Sequence, residues 1–132
     1  MTRGASRSVT LLIVDDEPAI LRMLVEALKD PGLTVLTATS GVKAIEIYSQ
    51  HQSKIDMVLL DLQMYPCSGL QIMTELKRIN PSVKVAVMSG SSSDGSVAEM
   101  LEAGAVSVFS KPFISLSDLS FALNQLVEVG VE

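Results

Sequence analysis

The chain has 132 residues, a net charge of −5 at pH 7 and a hydrophobic fraction of 48%. This length fits one compact domain, and the composition is that of a globular protein rather than a disordered one. The acidic balance argues against direct binding of nucleic acid. No apolar run approaches the roughly 20 residues that cross a bilayer, and a single cysteine excludes an intrachain disulfide. We therefore expect a cytoplasmic protein.

The first predicted elements are a strand and a helix. Val9 to Val14 is a short run that is apolar apart from Thr10 and shows no alternation, which is typical of a strand buried on both faces of a sheet. Apolar residues then recur at helical spacing from Glu17 to Asp30, with Pro18 in the first turn, where its missing N–H costs nothing. Pro31-Gly32 is expected to end this helix.

A second strand and helix follow. Leu33 to Ala38 is rich in Thr and Val and predicts a strand. Ser40 is expected to cap a helix that runs to about His51. The apolar residues expected on the inner face of this helix are Val42, Ala44, Ile45 and Tyr48.

The alternation continues to the end of the chain. The remaining predicted elements are strands at Met57–Leu60, Val83–Met88 and Ala105–Phe109 and helices at Gly69–Ile79, Ser96–Glu102 and Ser117–Val129, with Gly104 as a C-cap. Five strands alternating with five helices predict an α/β domain with a parallel sheet covered on both faces. We expect a short tail at residues 1–8, one domain at 9–129 that includes the Ser-rich loop after Met88, and no output domain.

Polar side chains follow the carboxyl ends of four predicted strands, where open parallel sheets bind their ligands. They are Asp15, Asp16 and Glu17 after the first strand, Asp61 after the third, Ser89 after the fourth and Lys111 after the fifth. Converging carboxylates repel each other, and oxygen ligands favour a magnesium or calcium ion that offsets this repulsion. A carboxylate nucleophile with a metal, an ammonium group and a hydroxyl forms a site for phosphoryl transfer through an aspartyl phosphate.

Several short motifs resemble those of bacterial two-component response-regulator receiver domains, and together they span nearly the whole chain. The motifs are Ile13-Val14-Asp15-Asp16-Glu17-Pro18, Leu59-Leu60-Asp61-Leu62-Gln63-Met64, Met88-Ser89-Gly90, Ala103-Gly104-Ala105 and Ser110-Lys111-Pro112-Phe113. An Asp-Asp pair alone would only suggest a helix cap, but the ordered set of motifs at strand ends is far more specific.

The resemblance implies a doubly wound, flavodoxin-like (βα)5 fold of three layers, with strand order 2-1-3-4-5. It implies Asp61 as the phosphoacceptor, and Ser89 and Lys111 as the switch hydroxyl and lysine. The implied ligands of Mg²⁺, or of Mn²⁺ in its place, are Asp15 or Asp16 (mainly Asp16), Asp61 and the backbone carbonyl of Gln63. The Lys111-Pro112 bond is expected to be cis.

The same resemblance implies a signalling switch rather than an enzyme, apart from self-catalysed phosphoryl transfer and autodephosphorylation. The expected partner is a sensor histidine kinase or a histidine phosphotransfer protein. Phosphorylation is expected to change the surface made by the fourth helix, fifth strand and fifth helix, through which a homodimer would form. The chain is expected to act alone or as a receiver from a longer regulator or hybrid kinase.

Two positions depart from the family pattern. A proline usually stands four residues after the phosphoacceptor, but here that residue is Tyr65 and the proline is Pro66, while Gly69 keeps its usual place. The usual aromatic residue three positions before the lysine is replaced by Val108, with Phe109 expected on the opposite face of the strand.

Two alternatives remain at this point. The missing switch aromatic at Val108 is consistent with a degenerate receiver that binds partners without being phosphorylated. A magnesium-dependent phosphatase of the haloacid-dehalogenase type also uses an aspartate nucleophile, but such enzymes carry a second aspartate two residues later, where this chain has Gln63.

Overall fold

The computed structural model describes residues 9–29, 31–90 and 95–110 of the chain. Its elements are β1 Val9–Val14, α1 Pro18–Ala27, β2 Leu33–Ala38, α2 Gly41–His51, β3 Met57–Asp61, α3 Gly69–Ile79, β4 Val85–Ser89, α4 Gly95–Glu102 and β5 Ser107–Ser110. The predicted tail at 1–8 and the predicted last helix at 117–129 lie outside the described residues. None of the helices in the described ranges has the length and apolar character needed to cross a membrane.

The five strands form one parallel sheet in the order β2-β1-β3-β4-β5, which confirms the predicted order. Its two faces are covered by separate apolar clusters. One cluster packs α1 on the sheet through residues that include Leu21 and Leu24. The other packs α2, α3 and α4 through residues that include Tyr48, Leu76 and Met100. Helices therefore cover both faces, as expected for a flavodoxin-like three-layer fold.

Helix α1 is shorter than predicted, because it ends at Ala27 rather than Asp30. Leu28 forms its C-cap and is buried, with 2% of its surface exposed. A longer helix would bring the ring of Pro31 against the carbonyl of Ala27, four residues earlier, and this clash ends helices. The position of the proline thus sets the end of the helix.

The N-terminus of α2 confirms one prediction and corrects another. The Ser40 side chain accepts a hydrogen bond from the Lys43 N–H, so Ser40 is the expected cap. Ala44 and Tyr48 are buried as predicted, but Val42 is 73% exposed rather than on the inner face. Gly41 takes the buried place in this first turn, three residues before Ala44, which follows helical periodicity.

The last two strands begin two residues later than predicted because turns extend into them. The Val83 N–H donates to the carbonyl of Asn80 at 3.0 Å, so Val83 belongs to a turn. The Ala105 N–H donates to the Met100 carbonyl at 2.9 Å, which closes the C-terminus of α4 with Gly104 at a φ of 109°. This left-handed glycine confirms the predicted C-cap.

Candidate functional site

Asp61 is the last residue of β3, a strand whose five residues are all buried. The prediction placed Asp61 just beyond the strand, whereas the strand includes it. Only 3% of Asp61 is exposed, and its Oδ1 accepts a 3.1 Å hydrogen bond from the Gln63 N–H. In the next strand, Met88 stands opposite Asp61. The acceptor candidate is therefore held by the sheet and by the turn that follows it.

Asp15 lies at the end of β1 and is fully buried. Its N–H donates to the Ala38 carbonyl at 3.1 Å, which extends the sheet pairing by one residue. Its Oδ1 accepts a 2.9 Å hydrogen bond from the Glu17 N–H, which forms the turn into α1. Asp16 and Glu17 are both exposed at the surface of this turn.

The carboxylates of β1 and β3 converge at this edge of the sheet. Asp15, Asp16 and Asp61 each place a carboxylate oxygen within 4.8 Å of the other two. Two of these carboxylates are buried, so their repulsion is weakly screened unless a positive charge lies between them. A donor set of carboxylate oxygens fits a hard divalent cation such as Mg²⁺. The structure thus brings together the three carboxylate side chains predicted as ligands, whereas Glu17, which also follows β1, does not belong to this group.

Ser89 is the last residue of β4 and lies on the strand next to that of Asp61. It is 3% exposed, and its hydroxyl donates a 3.2 Å hydrogen bond to the carbonyl of Gly90. Its position one residue beyond Met88, the partner of Asp61 in the sheet, places this hydroxyl at the same edge. Lys111 and the Lys111-Pro112 bond, also predicted for this site, lie outside the described residues.

A backbone hydrogen bond joins the two ends of the loop between Asp61 and α3. The Gly69 N–H donates to the Leu62 carbonyl at 3.2 Å, and a Cβ at Gly69 would lie 2.9 Å from that oxygen. Ser68 and Gln71 form a reciprocal capping box at the start of α3. Sequence reasoning overlooked this box, although a serine followed three residues later by a glutamine is its usual signature.

The structure shows the surroundings of the two positions that depart from the family pattern, Pro66 and Val108. The Tyr65-Pro66 bond is cis, and the Tyr65 side chain is 84% exposed. Val108 packs against the cluster beneath α2, α3 and α4, whereas Phe109 packs against the cluster beneath α1. The two side chains therefore lie on opposite faces of β5, as predicted.

The fold and this acidic edge define a doubly wound α/β domain of the receiver type. Residues 11–124 match the family described as the response regulator receiver domain. The chain belongs to this family of two-component signalling domains, whose general role is that of a phosphoacceptor and whose acidic pocket binds Mg²⁺. Membership of this family argues against the alternative of a haloacid-dehalogenase-type phosphatase.

Proteins of different lengths are similar to this chain. The chain is 31% identical to sporulation initiation phosphotransferase F of Bacillus subtilis, over 78% of this chain and 82% of that protein. It is 32% identical to the sensor kinase CckA of Brucella abortus and 31% identical to the probable transcriptional regulatory protein TcrX of Mycobacterium tuberculosis. It covers only 13% of the kinase and 53% of TcrX.

A solved structure has the same fold. The crystal structure of a response regulator receiver domain protein from Clostridium thermocellum superimposes with a TM-score of 0.84 at 31% sequence identity. The match covers 91% of this chain and 94% of that one.

Proposed function

We propose that this chain is a phosphorylation switch that accepts a phosphoryl group on Asp61. The observation that carries this proposal is the convergence of three carboxylates within 4.8 Å at the edge where the buried Asp61 ends β3. Family membership supports the same reaction, because the phosphoacceptor role is general for receiver domains.

The proposed donor is a phosphohistidine on a sensor histidine kinase or a histidine phosphotransfer protein. A carboxylate oxygen of Asp61 attacks the phosphorus and forms an acyl phosphate bond. The bond between phosphorus and the imidazole nitrogen breaks, and the imidazole keeps its electron pair and takes up a proton. The Gln63 N–H, bonded to Oδ1 of Asp61, orients the carboxylate for this attack.

A divalent cation, Mg²⁺ or Mn²⁺ in its place, fits the proposed site. Asp61 and mainly Asp16, with Asp15 beside them, would supply the carboxylate ligands, and the backbone carbonyl of Gln63 would supply another oxygen. When bound, the cation would neutralise charge on the transferred phosphoryl group. Asp15 also supports the turn that carries Asp16, since its Oδ1 accepts the Glu17 N–H.

The response to phosphorylation is proposed to begin at Ser89. Its hydroxyl donates to the Gly90 carbonyl in this structure, and it would donate to a phosphoryl oxygen instead. Lys111 is proposed to pair with another phosphoryl oxygen. Movement of Ser89 would shift the segment that leads to α4, and so change the surface of α4, β5 and the predicted last helix, where a homodimer or a partner would bind.

The experiment is intact-mass measurement after incubation with Mg²⁺ and acetyl phosphate, which needs no cognate kinase. We expect the wild type to gain one phosphoryl group and Asp61→Asn to gain none. Asp56→Asn is the matched control, because Asp56 lies beyond the opposite end of β3 and accepts the Thr10 N–H there. Equal labelling of wild type and Asp61→Asn would contradict the proposal.

A second candidate function is supported by Val108. A valine replaces the aromatic residue of the family pattern, and it packs against the core. A receiver that binds its partner without phosphorylation would have no need of that ring. In this case the partner would bind the wild type and Asp61→Asn with equal affinity, with or without a phosphodonor.

A further inference from the structure

The last turn of α4 carries charges of the unfavourable sign for its position. Helix α4 ends at Glu102 and has no basic residue in this turn, where Glu99 and Glu102 are both exposed. The C-terminal end of a helix carries a partial negative charge, so the two carboxylates lower the stability of this end. A helix of eight residues is also too short to be stable in water by itself. The C-terminal end of α4 therefore depends on contacts from other parts of the protein.

Lys77 of α3 lies against this end of α4. A Cβ at Gly104, the C-cap glycine, would lie 2.9 Å from Nζ and 3.2 Å from Cε of Lys77. The end of the Lys77 side chain thus occupies the space that a side chain at position 104 would need. Lys77 is half-buried, whereas its neighbour Arg78 is exposed and donates a 2.8 Å hydrogen bond to Glu75 of the same helix. Of the two basic residues in the last turn of α3, Lys77 is the one that reaches α4.

The topology of the sheet explains why one ammonium group lies beside two helix ends. Helices α3 and α4 each connect two parallel strands, so both run from the carboxyl edge of the sheet back to its amino edge. Their C-terminal ends therefore lie at the same edge, and Lys77 places a positive charge where both helix dipoles are negative. Asp61 and Ser89 lie at the other edge, from which the chain enters α4.

Backbone hydrogen bonds and a core side chain hold the same end of α4. The Gly104 N–H donates to the Leu101 carbonyl at 3.1 Å, and the Ala105 N–H donates to the Met100 carbonyl at 2.9 Å. Met100 is fully buried and packs into the cluster that α2 and α3 share. The end of α4 beside Lys77 is therefore attached both to the core and to α3.

We propose that Lys77 anchors the C-terminal end of α4, so that α4 responds to phosphorylation by moving its N-terminal end about this fixed point. The movement rests on the proposed function, whereas the anchor is a property of the unphosphorylated protein. Ser89 would pull the chain that enters α4, while the Lys77 ammonium keeps the other end beside α3. Without this charge the C-terminal end is loosened, and α4 shifts as a whole.

The test is amide hydrogen exchange, measured by NMR, in wild type, Lys77→Met, Lys77→Arg and Arg78→Met. Methionine keeps an unbranched side chain without the charge, arginine keeps the charge, and Arg78→Met is the matched control from the same turn of α3. We expect the amides of Ala103, Gly104 and Ala105 to exchange roughly threefold faster in Lys77→Met, as for loss of a cation at a helix C-terminus. Lys77→Arg and Arg78→Met should stay close to the wild type.

Ionic strength separates the effect of charge from that of packing. Salt screens a cation at a helix end, so the same three amides should lose protection in the wild type as the NaCl concentration rises, and should not change in Lys77→Met. The movement is tested with Mg²⁺ and an excess of acetyl phosphate. The amide signals of Val97 and Ala98 should then shift in the wild type while that of Ala105 stays in place, and all three should shift in Lys77→Met.

The possible failures are distinguishable. Unchanged exchange in Lys77→Met, or equal acceleration in Arg78→Met, would show that the Lys77 charge does not anchor α4. A phosphorylation-dependent shift as large at Ala105 as at Val97 in the wild type would show that this end does not stay fixed. Faster exchange in Lys77→Met together with a wild type that gains no phosphoryl group would remove the proposed function and the movement that rests on it, and leave only the anchor.

Discussion

The Gln63 N–H donates a 3.1 Å hydrogen bond to Oδ1 of Asp61, so the loop after β3 orients the carboxylate that ends this strand. The same loop returns to Leu62 through the Gly69 N–H. The acceptor candidate, its orienting donor and the start of α3 therefore form one local unit. A substitution in this loop should therefore change both the stability of the fold and the reactivity of Asp61.

We first predict opposite effects of Asp61→Asn on stability in the absence and presence of Mg²⁺. Without the cation, the change relieves repulsion from Asp15 and Asp16 and should raise the free energy of unfolding by about 1 kcal/mol. With Mg²⁺, the wild type should gain stability and the variant much less, because one ligand charge is gone. Urea unfolding with EDTA or Mg²⁺ measures this, and equal gains from Mg²⁺ would contradict the assigned ligand.

Asp16→Asn should weaken cation binding with little effect on folding. Asp16 is exposed, so it contributes its charge to the site without filling the core. We expect the Kd for Mg²⁺ to rise by about tenfold, the equivalent of roughly 1.4 kcal/mol. Calorimetric titration with Mg²⁺ checks this, with Glu17→Gln as the neighbouring acidic control. Equal weakening by the two variants would indicate a general effect of surface charge.

Gly69→Ala should destabilise the protein far more than Gly90→Ala, because a Cβ at Gly90 would approach only the far end of the flexible Gln63 side chain. A Cβ at Gly69 would lie 2.9 Å from the carbonyl oxygen and 3.0 Å from Cα of Leu62, which are backbone atoms that cannot rotate away. We expect a loss of about 2–3 kcal/mol, as for other overpacked sites. Chemical denaturation of both variants provides the comparison, and equal stabilities would mean that the loop adapts to the added methyl group.

Deprotonation of Tyr48 should lower the free energy of unfolding at alkaline pH. Burial raises the pKa of its hydroxyl above the ordinary value, while the hydrogen bond from Asn80 acts in the opposite direction. The folded state therefore keeps the phenol proton longer than the unfolded chain does. Its contribution is fully present below about pH 10, the ordinary tyrosine pKa, and is lost as the pH rises towards the folded value.

Tyr48→Phe separates this effect from that of other groups. The variant should lose about 1 kcal/mol at neutral pH, because the Asn80 amide loses its 2.9 Å hydrogen bond to the hydroxyl. Its stability should then fall less steeply than that of the wild type above about pH 10. Unfolding curves between neutral and alkaline pH measure both, with the exposed Tyr65→Phe as control. Parallel pH profiles of wild type and Tyr48→Phe would contradict the assignment.

Most of the fold could be predicted from the sequence, because buried strands and amphipathic helices differ in the pattern of their apolar residues. Val9–Val14 was predicted to the residue, since five of its six residues are apolar and its last four are buried. Boundaries were less predictable where a turn extends into an element, as at Val83, which is buried like a strand residue but hydrogen-bonded as a turn. The exposure of Val42 was also missed, because the apolar character of its side chain outweighed the helical spacing that places Gly41 against Ile72.

The convergence of the three carboxylates was easier to predict than the contacts around them. Asp15, Asp16 and Asp61 could be placed together because the carboxyl ends of parallel strands meet at one edge. The contact between Gln63 and Gly90 could not, since it depends on a side-chain rotamer across two loops. Periodicity and motifs assign residues to helices and strands, but they do not determine the rotamers of exposed side chains.

The most direct test of the central claim is to locate the phosphoryl group chemically. Borohydride reduces an aspartyl phosphate to homoserine, which peptide mass mapping identifies by position. After treatment with acetyl phosphate and Mg²⁺, we predict homoserine at position 61 and none in Asp61→Asn. Homoserine at position 15 or 16, or a phosphoryl group that resists reduction because it lies on Ser89, would contradict the assignment of Asp61 as the acceptor.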